Sequence, residues 1–170
     1  MNKYRTHTCG ELTKEQNNKN VVLSGWVNKK RDHGNLLFID LRDNYGLTQC
    51  LVDKESKFFN ELEKIQLETV IKIDGVVNVR SKDTINKDLK TGEIEVKIKS
   101  YEILGICKEL PMPVFSDQEY AEEIRLKYRF LDLRRKKIHE NIILRSKVIT
   151  FIRNKLNELG FLEFQTPILT

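Results

Sequence analysis

Few residues in this chain have the types and spacing to do chemistry, and they converge on one face. Leu37, Ile39 and Leu41 alternate as an apolar set, so Phe38 falls on the opposite face with Asp40 and Arg42. An aromatic ring among charges can stack on a nucleobase, a contact worth roughly 1–3 kcal/mol. Arg31, at the end of Lys29-Lys30-Arg31, offers charge to a phosphate or a two-pronged contact to a base. Gln49 can both donate and accept, as reading an unpaired base edge requires. Glu95 points outward from the alternating run Glu93–Lys99 and can accept from a base amino group. The combination suits single-stranded RNA with splayed bases. Each member also has a plainer reading. Gln49 serves equally as a polar residue on a barrel rim, Glu95 as the partner of a lysine, and Arg42 as half of a surface pair with Asp40 or Asp43.

Other chemistries lack their residues. His7, His33 and His139 are too scattered for a metal site, and no nucleophile–base pair or glycine-rich phosphate loop is present. No catalytic residue and no metal ligand is therefore expected. Cys9, Cys50 and Cys107 are odd in number and far apart, which fits neither a disulfide framework nor zinc and points to a reducing cytosol.

The elements that must position these side chains can be read from periodicity. Val21–Val27, Leu36–Arg42 and Leu47–Val52 read as strands separated by turns at His33-Gly34-Asn35 and Asn44-Tyr45-Gly46. Ser56–Leu67 switches to a helical period, with Ser56 as its N-cap. Val70–Arg80 alternates again, placing Ile71, Ile73, Gly75, Val77 and Val79 on one face and Lys72, Asp74, Val76, Asn78 and Arg80 on the other. Ser81–Gly92 is loop, and Glu93–Lys99 is the fifth strand. Five strands with one helix between the third and fourth is the order of an OB-fold barrel. An Sm- or SH3-like barrel is the competitor, but it would not put a helix there.

The fold class expected is mainly β with α, an OB-fold over residues 1–108, a hinge over 109–136 and the start of a second domain over 137–170. Leu110-Pro111-Met112-Pro113 marks the boundary. A long helix is expected from about Lys137 to Leu159, with Ile142, Ile149, Ile152, Leu156 and Leu159 on one stripe and Gly160 just past its end. Phe161–Thr170 reads as a strand, bulged or at an edge because of Pro167. The chain has 170 residues and a net charge of +5, with 39% hydrophobic and 32% charged residues, so a packed core is within reach. No apolar run approaches a membrane span, and the N-terminus lacks the apolar stretch of a signal peptide. The basic clusters at Lys29–Arg31 and Arg125–Lys137, the latter with seven basic residues against Asp132, read as solvated faces or as nucleic-acid contacts.

The run from Gly25 to Gly34 and that from Leu37 to Asp43 resemble the anticodon-binding OB domain of aspartyl-tRNA synthetases. Ile85–Asp88 and Thr91–Val96 continue the match. Arg125–Arg135 is similar to the hinge of the bacterial-type enzymes, and the segment ending Gln165-Thr166-Pro167 resembles motif 1 of class II synthetases. Asparaginyl and lysyl enzymes share the barrel and motif 1, but the hinge favours the aspartyl branch. The resemblance implies that Phe38 stacks on the central U of a GUC anticodon, and that Arg31, Gln49 and Glu95 read anticodon base edges or backbone. It makes Arg80 and Asn86 secondary contacts, gives the hinge the inner side of the tRNA body, and puts Pro167 in a homodimer interface.

The resemblance also implies a specificity position. Members that charge both tRNA-Asp and tRNA-Asn often carry His after Arg-Asp, as His33 stands here, whereas strict members often carry Leu. Asp83 or Thr84 is the other position linked to that choice. The parent reaction is ATP- and Mg2+-dependent, runs through aspartyl-adenylate and takes place in the cytoplasm. Motifs 2 and 3 lie beyond motif 1, so this segment is expected to bind tRNA without cofactor and to catalyse neither step. A stand-alone OB module or a synthetase paralogue is the alternative.

Overall fold

Alternating burial builds the first half of the chain. The computed structural model describes residues 2–115 and 118–167 and divides the chain into two compact units, Met1–Glu109 and Leu110–Thr170. In the first, β1 (Asn20–Asp32), β2 (Leu36–Arg42), β3 (Leu47–Asp53), α1 (Phe59–Lys64), β4 (Val70–Val79) and β5 (Ile94–Gly105) follow in order. The strands bond in the order β1-β2-β3-β5-β4, and β4 closes back on β1. Every pairing is antiparallel except β3 with β5, at Cys50 with Val96 and Leu51 with Lys97. This is a closed OB-type barrel with its helix between β3 and β4, which excludes the SH3-like alternative. Val21, Leu23, Val27, Leu37, Ile39, Leu41, Ile71, Ile73, Val77, Ile94 and Val96 fill it, and Phe59 and Leu62 of α1 join the same core.

One irregularity in β1 decides which side chains reach the outer surface. Val27 pairs with Leu41, but the next pairs are Lys29 with Asp40, Lys30 with Ile39 and Arg31 with Phe38. Asn28 is thus an extra residue in the strand, a β-bulge. Opposed residues share a face, so the bulge reverses the parity of everything after it. An uninterrupted β1 would send Arg31 to the side of buried Val27; the bulge places it with Phe38 instead. It also sends Lys30 to the Ile39 side, where its ammonium donates to the Glu63 carbonyl in the last turn of α1. A cation there satisfies an otherwise open helix terminus.

Three local expectations need correction. Ser56 does not cap α1; the N-cap position belongs to Phe58, which makes no side-chain cap bond, and the Ser56 carbonyl accepts from Phe59 N at 3.0 Å in a preceding turn. The helix also stops at Lys64, because Ile65 is already extended with ψ 132°. β5 continues past Lys99 to Gly105, held by β4 pairs that run on to Val70 with Gly105. Its second half is mostly exposed, so it carries no alternation to read.

The second unit holds α2 (Glu122–Lys127), α3 (Arg129–Asp132) and α4 (Lys136–Glu158). Residues 110–136 are more than a linker. Met112, Val114 and Leu131 form a small core of their own, flanked by Leu110, Tyr120 and Tyr128. Beside it lies Asp132, whose fully buried carboxylate receives Arg125 at 3.1 Å, Arg129 at 2.7 Å and Arg135 at 3.8 Å. Much of the basic cluster read from the sequence is therefore spent on one buried charge, as a carboxylate out of water requires.

α4 ends where Gly160 takes a positive φ of 87°. Gly160 N donates to Asn157 O and Phe161 N to Leu156 O, both at 3.0 Å, the paired bonds of a Schellman terminus. Of the strand expected over Phe161–Thr170, the described part does not form one. Residues 161–167 are irregular, and 168–170 lie outside the described residues. A strand exists through its ladder, and no described segment pairs with this one. The stripe of α4 is solvent-facing, with Ile142, Ile149, Ile152, Leu156 and Leu159 each at least 38% exposed. No helix among the described residues is long and apolar enough to cross a membrane.

Leu62 is fully buried where α1 meets the barrel core. Leu62→Ala should destabilise the barrel by about 2–5 kcal/mol, read as a lower urea midpoint at unchanged m-value.

Candidate nucleic-acid interface

The outer face of the barrel carries a cleft of about 600 Å³. Arg31 of β1, His33 of the first turn, Phe38 of β2, Gln49 of β3, Arg80 just past β4, Asn86 of the following loop and Glu95 of β5 all line it. Two sequence-predicted residues lie elsewhere. Asp83 sits exposed on a 3-10 turn, Lys82–Thr84, and its neighbour Thr84 lines the cleft instead. Pro167 belongs to the second unit.

The β1 bulge and the β2–β3 ladder set the geometry. Phe38 lies opposite Arg31 on one side and Leu51 on the other, while Asp40 lies opposite Gln49. Arg31 Nη2 donates to Asp40 Oδ1 at 2.7 Å and to Gln49 Oε1 at 3.2 Å. The His33 ring meets Phe38 edge-on, with centroids 5.4 Å apart and planes at 87°. The contact fixes the half-buried phenylalanine against the turn. The turn carrying His33 is tied by its backbone. Gly34 has φ 77°, its N–H bonds Asp32 Oδ1 at 2.7 Å, and His33 N bonds Leu36 O at 2.9 Å.

Arg80 breaks the alternation predicted for β4. The strand ends at Val79, which is 41% exposed, and the next side chain turns inward. The Arg80 side chain is 5% exposed, its Nε donates to Ile94 O at 3.0 Å and its Nη1 to Thr84 O at 3.3 Å. Its Nη2 is buried with no hydrogen-bond partner among the described residues. Glu95 Oε2 lies 3.7 Å from Arg80 Nε, so its partner is this arginine rather than a lysine. Nor does Arg42 pair with Asp40 or Asp43. It holds Glu68 at 2.9 and 3.0 Å, and Asp43 instead receives Arg5 at 3.4 Å and Cys9 N at 2.9 Å.

Desolvation dominates the electrostatics. Burial pushes the Asp40 carboxyl above its usual range against the pull of Arg31 and Lys29. Burial likewise raises Glu95 against the pull of Arg80, and lowers Arg80 against the pull of Glu95. Both ion pairs are therefore under-solvated, which favours a ligand that adds hydrogen bonds. The site's donors are Arg31, Gln49 and Arg80, its acceptor is Glu95, and its stacking surface is Phe38. Sequence reasoning missed Asp40 as the anchor of Arg31, although its place on the Phe38 face was visible, and the apolar rim of Leu36, Leu51 and Val79.

No group of three or more His, Cys, Asp or Glu able to hold a metal ion occurs among the described residues. Burial drives the Cys9 and Cys50 thiols far up, so neither is a nucleophile. A basic hollow in the second unit, of about 600 Å³, is lined by Tyr120, Arg125, Arg135, Lys136 and Lys137.

Residues 21–104 match a family model for the OB-fold nucleic acid binding domain, and residues 121–170 one for tRNA synthetases class II (D, K and N). An aspartate–tRNA(Asp/Asn) ligase of Pelagibacter ubique is 78% identical over the whole chain. Along its whole length the chain is similar to that aspartate–tRNA ligase, and its second segment matches class II synthetases. A second such ligase, from Dinoroseobacter shibae, is 57% identical over all 170 residues. The chain spans 29% of the length of each of these relatives. Among solved structures, asparaginyl-tRNA synthetase from Pyrococcus horikoshii superposes with a TM-score of 0.83 at 27% identity, over 96% of this chain and 38% of that one. Aspartyl tRNA synthetase from Entamoeba histolytica shares the fold, with a TM-score of 0.81 at 23% identity, over 92% of this chain and 38% of that one.

A pH test follows from Glu95. A carboxyl raised by folding contributes stability that is present below its unfolded pKa, about 4.3, and is lost as pH rises through its folded value. The urea midpoint of Glu95→Gln should therefore move in the variant's favour, relative to the parent, between about pH 4 and pH 7.

Proposed function

We propose that the barrel of this chain binds the anticodon loop of tRNA-Asp, with Phe38 stacking on the central base of GUC and Arg31, Gln49, Glu95, Arg80 and Asn86 contacting base edges or backbone. The observation that carries the reading is the gathering of these residues around one cleft. In the whole protein, which is cytoplasmic, this binding would precede attachment of aspartate through aspartyl-adenylate. ATP and Mg2+ would act there. No step of that chemistry is assigned to the residues of this chain. The exposed apolar stripe of α4, with Pro167, would form a homodimer surface, and the basic residues of the second unit would meet the tRNA body.

The reading extends to tRNA-Asn. The His33 ring packs perpendicular to Phe38, so it can influence how the neighbouring base is held. The relatives named aspartate–tRNA(Asp/Asn) ligase support dual use. Thr84 lines the cleft from the opposite loop, and Asp83 is its neighbour.

An anticodon stem-loop carrying GUC should bind better than one with a scrambled loop, with affinity falling as salt rises. Phe38→Ala should weaken GUC binding by about 1–3 kcal/mol, or roughly 5- to 150-fold. Equal binding of both loops would sink the reading. In charging assays the full-length protein should aminoacylate tRNA-Asn as well as tRNA-Asp, and His33→Leu should lower the first selectively.

A further inference from the structure

Beneath the cleft lies a carboxylate that none of the proposed contacts uses. Asp40 is 10% exposed by side chain, against 37% for the Arg31 that covers it. Arg31 spends a single terminal nitrogen, Nη2, on both Asp40 Oδ1 and Gln49 Oε1. Its Nη1 and Nε donors remain for a ligand. Because the Gln49 oxygen is committed to Arg31, its amide nitrogen is the group left to face outward. The three residues thus form a relay in which a buried charge orients a guanidinium, and the guanidinium orients an amide.

Resting on the RNA-binding reading above, we infer that Asp40 is the positioning residue of the cleft, fixing Arg31 and Gln49 as a paired donor set that selects a base presenting acceptor atoms. The ladder supports this assignment, since Asp40 lies directly opposite Gln49 on β3 and opposite Lys29 on β1. Direct contact with RNA belongs to Arg31 and Gln49; Asp40 acts through them. Without the anchor the guanidinium is a mobile cation, which attracts any phosphate but reads no particular base. Asp40 therefore trades general affinity for discrimination.

The test measures the full chain by fluorescence anisotropy against a GUC stem-loop and a scrambled-loop control at fixed salt. Asp40→Asn should lower the GUC-to-scrambled ratio about tenfold while leaving scrambled binding equal or tighter. In an Arg31→Ala background the same change should no longer alter the ratio. Arg31→Lys, at a half-exposed site, keeps the charge and can bridge both acceptors through its ammonium but lacks the remaining Nη1 and Nε donors, and should also lose the ratio. Parallel losses for both loops would show a merely structural role and overturn the inference, as would an unchanged ratio in Asp40→Asn or Arg31→Lys, or an undiminished Asp40 effect without Arg31. A parent chain with no GUC preference would instead defeat the RNA-binding reading itself, and this inference with it.

Discussion

The bulge at Asn28 is the constraint on which the rest of the barrel surface depends. A strand has a period of two, so one inserted residue moves every later side chain to the other face. Before it, Val21, Leu23 and Val27 face the core; after it, Arg31 stands beside Phe38 while Lys30 reaches the end of α1. The cost is visible in the same residue, whose Oδ1 is buried with no hydrogen-bond partner among the described residues. A binding face and a helix terminus are completed together by one unpaired position.

Buried carboxylates do the remaining organisation. Asp43 gathers Cys9 N, Tyr45 N and Gly46 N, which locks the β2–β3 turn to the N-terminal segment. Asp132 gathers three arginines in the second unit. Asp40 holds Arg31 under the cleft. Each is costly to bury and strongly oriented once paired, so each converts flexible side chains or backbone into a fixed shape.

Much of this was legible from the residues. Strand composition and alternation located five barrel strands, helical periodicity located α4, and the odd phenylalanine in β2 pointed to the face proposed to bind RNA. What could not be read has physical causes. Parity assumes an unbroken strand, so Arg31 reached its face by a bulge that leaves no clear mark in Val27-Asn28-Lys29. Arg80 turned inward because β4 ends one residue earlier. The partners of Arg42 and Glu95 are set by tertiary proximity, Glu68 and Arg80, rather than by adjacency in sequence. Phe161–Pro167 has the composition of a strand, but composition supplies no ladder.

The turn at His33 has one more consequence. Its shape is held by backbone bonds, by the Asp32 side chain and by the positive φ of Gly34. The side chain of His33 contributes nothing to that framework. Under the proposed RNA-binding reading, selectivity can therefore drift at this position through single substitutions while the barrel stays intact, whereas the strand-borne residues of the cleft are bound to the ladder that carries them.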